Sequence, residues 1–178
     1  MRFSTVLVLL VLVAVSGFIY VGIREPSFGS QAIVDIDAPV EHTFSVFNDQ
    51  DNLSLWLTGF RKIQYLRGEE GQPGSYYRLT MVEDGRELIM TEQITAMVEN
   101  EHFATTIESN MLTSVANFWF EATENGTRIT ANAEYSGNGP FYKSLLWFSK
   151  EEIKARQQQE LERLKVLVEK TAAEDGLS

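Results

Sequence analysis

The chain has 178 residues, of which 44% are hydrophobic and 22% are charged, and its formal net charge is −10 at pH 7. These proportions are typical of a globular protein with one domain and exclude a disordered chain. The sequence contains no cysteine, which excludes disulfides, thiolate catalysis and cysteine-bound metals. Because the acidic balance offers no basic surface for a phosphate backbone, nucleic acid is not expected as a partner.

The N-terminal segment is a long apolar run. Phe3 to Ile23 carries no charge, and a helix of that length is roughly 30 Å long, about the thickness of one bilayer hydrocarbon core. We predict that residues 1–24 form a single transmembrane helix that anchors the protein, followed by a linker at residues 25–31.

The charges around this run predict its orientation. Arg2 and the α-amino group precede it, whereas Arg24 is followed directly by Glu25. The bias favours a membrane protein with one span, its N-terminus inside and its domain on the extracytoplasmic side. Two alternatives remain. One is a signal peptide cleaved before Gly17, although the apolar run continues beyond that point. The other is a buried core helix, which a run this apolar on every side disfavours.

The domain is predicted to begin with a strand and two short helices. Ala32 to Asp37 alternates apolar and acidic residues, as a half-buried strand does. Pro39 suits the first turn of a helix, and Phe44 and Phe47 fall on one face of that helix. Leu53 to Phe60 is predicted to form a second short helix.

Strand patterns and turn signals then alternate along the chain. Asp84-Gly85 and Asn125-Gly126 are dipeptides typical of tight β-hairpins, and strands joined by such turns are antiparallel neighbours. The six predicted strands are Lys62–Leu66, Ser75–Val82, Arg86–Val98, His102–Ser109, Thr113–Thr123 and Thr127–Tyr135.

A long helix follows the strands, from Phe141 to about Lys170. Its apolar residues recur near a period of 3.6, but Gln157 interrupts the apolar seam. The element order predicts an α+β domain over residues 32–172, with a tail at 173–178. We expect a curved antiparallel sheet wrapped around the C-terminal helix, with a cavity between them.

This order of motifs resembles the START-like, or SRPBCC, superfamily, to which polyketide cyclase/dehydrase and lipid-transport proteins belong. The resemblance covers Ala32 to Lys170 and implies the helix-grip fold. The residues that carry it are Ile36 to Glu41, Phe44, Phe47, Trp56, Glu92 to Ile94, Asn125 to Thr130, Leu161, Leu164 and Glu169. The fold hosts carriers, cyclases, hydrolases and interaction modules, so it does not define one function.

Few residues offer chemistry. His42 and His102 lie in different predicted elements and are interpreted as surface residues, so neither a metal site nor a nucleophile with its base is expected. Glu92 shares a strand face with Leu88, Met90 and Ile94, which predicts that its carboxyl group points inward. An inward carboxylate needs a partner or water, and Glu92 is therefore the one weak catalytic candidate. Two alternatives remain open: a bulge or a register shift turns Glu92 outward, or Glu92 lies near the solvent-exposed end of the sheet.

We expect the protein to be a membrane-anchored monomer that binds a hydrophobic small molecule or lipid and uses no cofactor. The alternatives are a cyclase/dehydrase-like enzyme and an interaction module with a filled core. Small residues beside large aromatics suggest the wall of an apolar pocket. The predicted cavity residues are Trp56, Met90, Glu92, Phe103, Phe118, Phe120, Ala131, Ala133, Tyr135 and Gln157.

Overall fold

The structure is a computed structural model that describes residues 2–25 and 27–177. Met1, Pro26 and Ser178, which belong to the expected anchor, linker and tail, lie outside the described residues. The helices are α1 (Arg2–Arg24), α2 (Val40–Asn48), α3 (Leu53–Trp56) and α4 (Pro140–Glu174). The strands are β1 (Ser27–Ile36), β2 (Phe60–Arg67), β3 (Tyr76–Glu83), β4 (Arg86–Val98), β5 (His102–Glu108), β6 (Leu112–Thr123) and β7 (Gly126–Gly137).

All seven strands form one antiparallel sheet in the order β1-β7-β6-β5-β4-β3-β2. The six strands that follow the short helices therefore form a meander, and β1 joins its far end by pairing with β7. Tight turns between consecutive strands enforce this order, because neighbours in the chain become neighbours in the sheet. The α+β helix-grip architecture expected from the sequence is confirmed.

Most element boundaries shift by a few residues, and two of the shifts matter for the fold. β1 begins at Ser27, and Ser27 to Gln31 pair with residues 132–136 of β7, so most of the expected linker is strand. The long strand β7 supplies backbone donors and acceptors as far as Ser136, and β1 satisfies them. The second helix, α3, stops at Trp56 because Leu57 is extended and Phe60 already pairs with Met81 of β3.

The helix α4 also covers one of the two edges of the sheet, the one formed by β1. The edge strand β1 leaves one row of backbone groups without a neighbouring strand, a position prone to aggregation. The Gln158 side chain accepts from the Ile33 amide (3.3 Å) and donates to its carbonyl (3.1 Å), like a short piece of strand. Lys165 donates to the Asp35 carbonyl at 2.5 Å, and Glu169 accepts from the Asp37 amide at 3.0 Å. Side chains of α4 thus stand in for the missing strand.

The adjacent stripe of α4 forms the core with the concave face of the sheet, here called the inner face. Leu161, Leu164 and Val168 are fully buried against it. The main contacts of α4 within the domain are with β1, β7, α2 and α3. The helix therefore lies over one side of the curved sheet.

The helix α1 lies outside this core. Its segment Thr5–Arg24 has a mean hydropathy of 2.8, and 6% of it is buried. By length and composition, this segment is able to cross a membrane.

Candidate functional site

The register of the sheet arranges inner-face side chains in rows that run across the strands. One row joins Phe103 of β5, Phe118 of β6 and Ala131 of β7. The next row is small from β5 to β1, where it contains Thr105, Ala116, Ala133 and Ser30, and it ends at Ile94 on β4. The row after it contains Ile107, Ser114, Tyr135 and Phe28, and it continues to Glu92 and Tyr77 on β4 and β3.

The end of the inner face nearest α2 is filled by Phe47. Its ring centroid lies 5.6 Å from Trp56, 5.4 Å from Phe103, 5.0 Å from Phe118 and 5.1 Å from Phe120. Four of the predicted cavity residues therefore pack around one ring. Ala131 is fully buried beside them. In the structure these five positions belong to the hydrophobic core, because a side chain from a distant helix occupies the space that they face.

The small row and the row after it are different in character. Ser30, Ala133 and Ser114 each keep 7% of their surface exposed, whereas Ala131 and Ile129 keep none. Tyr135 and Met90 are half-buried. The inner face thus changes from an aromatic core to small and polar side chains, most of which are themselves buried. We call the region bounded by Ser30, Thr105, Ser114, Ala116 and Ala133 the small-residue region.

Glu92 borders the small-residue region. It lies on the inner face, one of the positions that the sequence left open, and its carboxyl group is enclosed although the residue as a whole is half-buried. The Thr105 hydroxyl donates to Glu92 Oε1 at 2.9 Å. Burial raises the pKa of Glu92, and the Thr105 hydrogen bond opposes this only in part.

Thr105 can serve Glu92 in either protonation state. Its Oγ1 also lies 3.1 Å from the Gln93 carbonyl oxygen. When Glu92 is ionised, the hydroxyl donates to the carboxylate. When Glu92 is protonated, the carboxyl group can donate to Oγ1 while the hydroxyl donates to the Gln93 carbonyl. This arrangement satisfies a neutral carboxylic acid, which can in turn donate a hydrogen bond or a proton.

Tyr135 of β7 and Glu160 of α4 add two further titratable side chains near Glu92's side of the inner face. Burial, with a smaller contribution from the Glu160 charge, raises the pKa of Tyr135 to about 12. Burial also raises the pKa of Glu160, although the Thr58 amide donates to its Oε1 at 3.0 Å. The positive charge of Arg156 opposes the increase in the pKa of Tyr135. That charge is partly neutralised, however, because Arg156 forms an ion pair with Glu83 of β3 at 2.6 Å. Tyr135 therefore stays a neutral phenol and can donate a hydrogen bond.

Gln157 has its partners within the protein. Ser30 donates to its Oε1, and its Nε2 lies 3.4 Å from the Ala131 carbonyl oxygen. The polar residue on the apolar seam is thus explained by the small, polar positions opposite it. Glu160 follows Gln157 by one turn of α4 and was missed by the sequence reasoning. The spacing of three residues places Glu160 on the same side of α4 as Gln157, and this spacing could have identified it from the sequence.

The two histidines stay apart. His42 was expected to face solvent, but it is half-buried and packs against α4, where its Nε2 lies 2.9 Å from the Thr171 hydroxyl. His102 stacks on Trp119 on the outer face, with ring centroids 3.8 Å apart. Within residues 2–25 and 27–177, no group of histidine and acidic side chains is arranged to hold a metal.

The outer face carries a depression of about 610 Å³ near Gln31, Asn117, Asn132 and Glu134. It is shallow, and Gln31 and Asn132 bond to each other at 2.9 Å. The titratable groups whose pKa values burial raises lie on the inner side, so the small-residue region remains the better candidate.

Replacing Glu92 with glutamine is expected to stabilise the protein at high pH. The native pKa of Glu92 is raised, so between the unfolded and native pKa values the native state binds more protons than the unfolded state. Stability therefore falls as pH rises through that window, and glutamine removes the loss. Urea unfolding of Glu92→Gln should give a gain at pH 8 that disappears near pH 4, below the unfolded pKa of about 4.3. The exposed Glu87 on the same strand, changed to glutamine, is the control. An equal gain in both variants would contradict the enclosure of Glu92.

The curved sheet, the long helix and the polar inner face together define a START-like, or SRPBCC, domain of the helix-grip class. Residues 29–169 match the family described as polyketide cyclase / dehydrase and lipid transport, and the chain belongs to this family. Among curated proteins, none matches the chain by sequence.

Solved structures show the same fold. Ara h 8.0201 superposes with a TM-score of 0.64 at 20% identity, covering 80% of this chain and 97% of its own. The Zhui aromatase/cyclase from Streptomyces sp. R1128 gives 0.67 at 11% identity, covering 80% and 94%. A protein of unknown function, SA2116 from Staphylococcus aureus, gives 0.66 at 14% identity, covering 83% and 96%. At these identities the likeness establishes the fold.

Proposed function

We propose that this protein is a membrane-anchored module that binds a hydrophobic small molecule or lipid between α4 and the inner face. The observation that carries the proposal is the small-residue region. Side chains as small as Ser30, Ala116 and Ala133 lie opposite α4, where a ligand would take the space that larger residues fill in a closed core, and apolar walls with a few polar groups are the common form of a small-ligand site. Tyr135 and Glu92 would orient a polar atom of the ligand.

The anchor in this proposal is α1. Its apolar segment Thr5–Arg24 is able to span a bilayer, and the charges around it favour an extracytoplasmic domain. Sequencing the N-terminus of the protein from a membrane fraction tests the anchor, because a mature chain that begins at Gly17 would mean a cleaved signal peptide instead. We further propose a monomer that does not bind nucleic acid, in keeping with the net charge of −10.

A cyclase/dehydrase-like enzyme is the second candidate. The enclosed Glu92, with its raised pKa and its Thr105 partner, is suited to act as a general acid or base. An aromatase/cyclase is also among the proteins of similar fold. Turnover of an aromatic-polyketide substrate that Glu92→Gln abolishes, without loss of substrate binding, would favour the enzyme over the carrier.

Two alanines on β7 provide a matched test of the binding site. Ala131 is fully buried in the core, whereas Ala133 keeps 7% exposure in the small-residue region. We expect Ala131→Phe to overpack the core and cost about 1–3 kcal/mol of stability. Ala133→Phe should instead occupy the ligand space, leaving the unfolding midpoint nearly unchanged while weakening the binding of an apolar fluorescent dye.

The measurements are urea unfolding and dye titration of the parent and both variants. Equal destabilisation by the two substitutions would mean that the region is a filled core and would favour an interaction module. Mass spectrometry of small molecules that co-purify with the parent, and are lost from Ala133→Phe, would identify the ligand.

A further inference from the structure

Hydrogen bonds join the first turns of α4 to the C-terminal end of α1. The Ser144 hydroxyl donates to the Phe18 carbonyl at 2.5 Å and accepts from the Gly22 amide at 3.1 Å, so it enters the backbone hydrogen bonding of α1. A side chain at position 22 would place its Cβ 2.4 Å from Ser144 Oγ, so this approach depends on glycine. The contact fixes where the beginning of α4 lies relative to the apolar helix.

Aromatic rings extend this contact. Phe18 stacks on Phe148 with ring centroids 5.7 Å apart and an interplanar angle of 5°. It also contacts Phe141 at 5.7 Å. Phe18 precedes Arg24 by six residues, which is about 9 Å along a helix. If α1 spans a bilayer, rings stacked on Phe18 lie below the level at which α1 leaves the membrane.

The outward stripe of α4 changes character just after these rings. Phe141, Leu145 and Phe148 are 56%, 45% and 64% exposed, and they follow one another at helical spacing on one face. Beyond them the exposed positions are mainly charged or polar. As far as Lys170, those positions are Glu151, Glu152, Ala155, Gln159, Glu162, Arg163, Val166 and Lys170. At the boundary, the Lys150 ammonium lies 3.5 Å from the centroid of the Trp147 ring.

We propose that Phe141, Leu145 and Phe148 of α4 insert into the lipid bilayer beside α1, with Trp147 and Lys150 at the interface. This inference rests on the proposed membrane anchor. The occupant of the apolar stripe is lipid because the stripe is continuous, through Phe18, with a helix that is apolar and exposed for most of its length. A tryptophan beside a lysine at the edge of such a surface suits the headgroup region.

The insertion would place the ligand site close to the membrane. The helix α4 runs without interruption from Phe148 to Gln157, about 14 Å at 1.5 Å per residue. Gln157 contacts Ser30 in the small-residue region. A hydrophobic ligand could then pass between the bilayer and the site with little exposure to water. The same helix would both enter the membrane and form one wall of the site.

Single cysteines provide the test, because the chain has no native cysteine. The variants are Leu145→Cys at the stripe, Leu10→Cys within α1 and Val166→Cys, which replaces a 66% exposed apolar residue farther along α4. Each full-length variant is labelled with an environment-sensitive fluorophore and reconstituted into phosphatidylcholine vesicles with and without nitroxide-labelled lipid. We expect a blue shift and lipid quenching at positions 10 and 145, and neither at position 166.

Each other outcome overturns the inference in a recognisable way. If the Leu10 label is not quenched, the proposed anchor fails and the inference fails with it. If Leu10 is quenched but Leu145 behaves like Val166, α1 spans the membrane while α4 stays in water. If the label at position 145 is shielded from water without lipid quenching, protein covers the stripe, as in a second copy of the chain. Ligand binding by Ala133→Phe and its parent is measured separately, so the proposed site can stand or fall independently.

Discussion

Replacing Phe47 with alanine is expected to lower the free energy of unfolding by about 3–5 kcal/mol, a large share of the stability of a small domain. Phe47 is 5% exposed and its ring contacts Trp56, Phe103, Phe118 and Phe120. The loss combines the transfer of a buried ring to water with the cavity that four fixed aromatic neighbours cannot collapse to fill. Urea unfolding, followed by tryptophan fluorescence and circular dichroism, measures it.

Trp119→Ala is the control for Phe47→Ala. Trp119 is larger, but it is 45% exposed on the outer face and stacks mainly on His102. It should cost only about 0.5–1.5 kcal/mol, the energy of one aromatic pair. Similar losses in the two variants would show that the ring cluster around Phe47 is not the centre of the core.

Gly126→Ala is expected to lower the free energy of unfolding by about 3–4 kcal/mol. Gly126 has a φ of +148°, and a Cβ there would lie 2.1 Å from the Ile36 carbonyl oxygen and 2.8 Å from the Ala38 amide. Relieving this clash would move the end of β1 and disturb the buried bond from the Thr127 hydroxyl to the Ala38 carbonyl, which is 2.8 Å long.

The matched control is Gly85→Ala in the β3–β4 turn. Gly85 also has a positive φ, of +76°, but a Cβ there meets nothing within 4 Å. It should therefore cost only the left-handed strain of alanine, about 1–2 kcal/mol. Chemical unfolding measures both variants. Equal losses for Gly85→Ala and Gly126→Ala would mean that the close approach of β1 is not what excludes a side chain at position 126.

These two glycines show how far turn dipeptides predict structure. Asp84 and Gly85 both have positive φ values and form the central pair of their hairpin, as the dipeptide predicted. The second hairpin also forms, but its turn residues are Glu124 and Asn125, and Gly126 is the first residue of β7. The Asn125-Gly126 dipeptide therefore predicted the hairpin correctly. Position 126 requires glycine for a different reason, which is that the end of β1 passes too close to leave space for a Cβ.

The candidate site shows the same division. Side chains alternate along a strand, so the pattern pointed to an inner position for Glu92, but it left an outward position open, and the tertiary structure decided between them. The strand pattern did not separate Ala131, which is in the core, from Ala133, which is in the small-residue region, because both occupy the same face of β7. That distinction depends on Phe47 and Gln157, which reach the inner face from helices far away in the chain.

By itself, the sequence determined the helix-grip architecture, the antiparallel order of six strands and the apolar character of α1. These features depend on signals between residues close together in the chain, namely alternation, helical spacing and tight turns. Only the tertiary structure decided that β1 starts at Ser27, that Phe47 fills one end of the inner face and that Ser144 joins α4 to α1. Each of these contacts joins segments far apart in the chain, and local patterns do not specify which distant side chain occupies a given space.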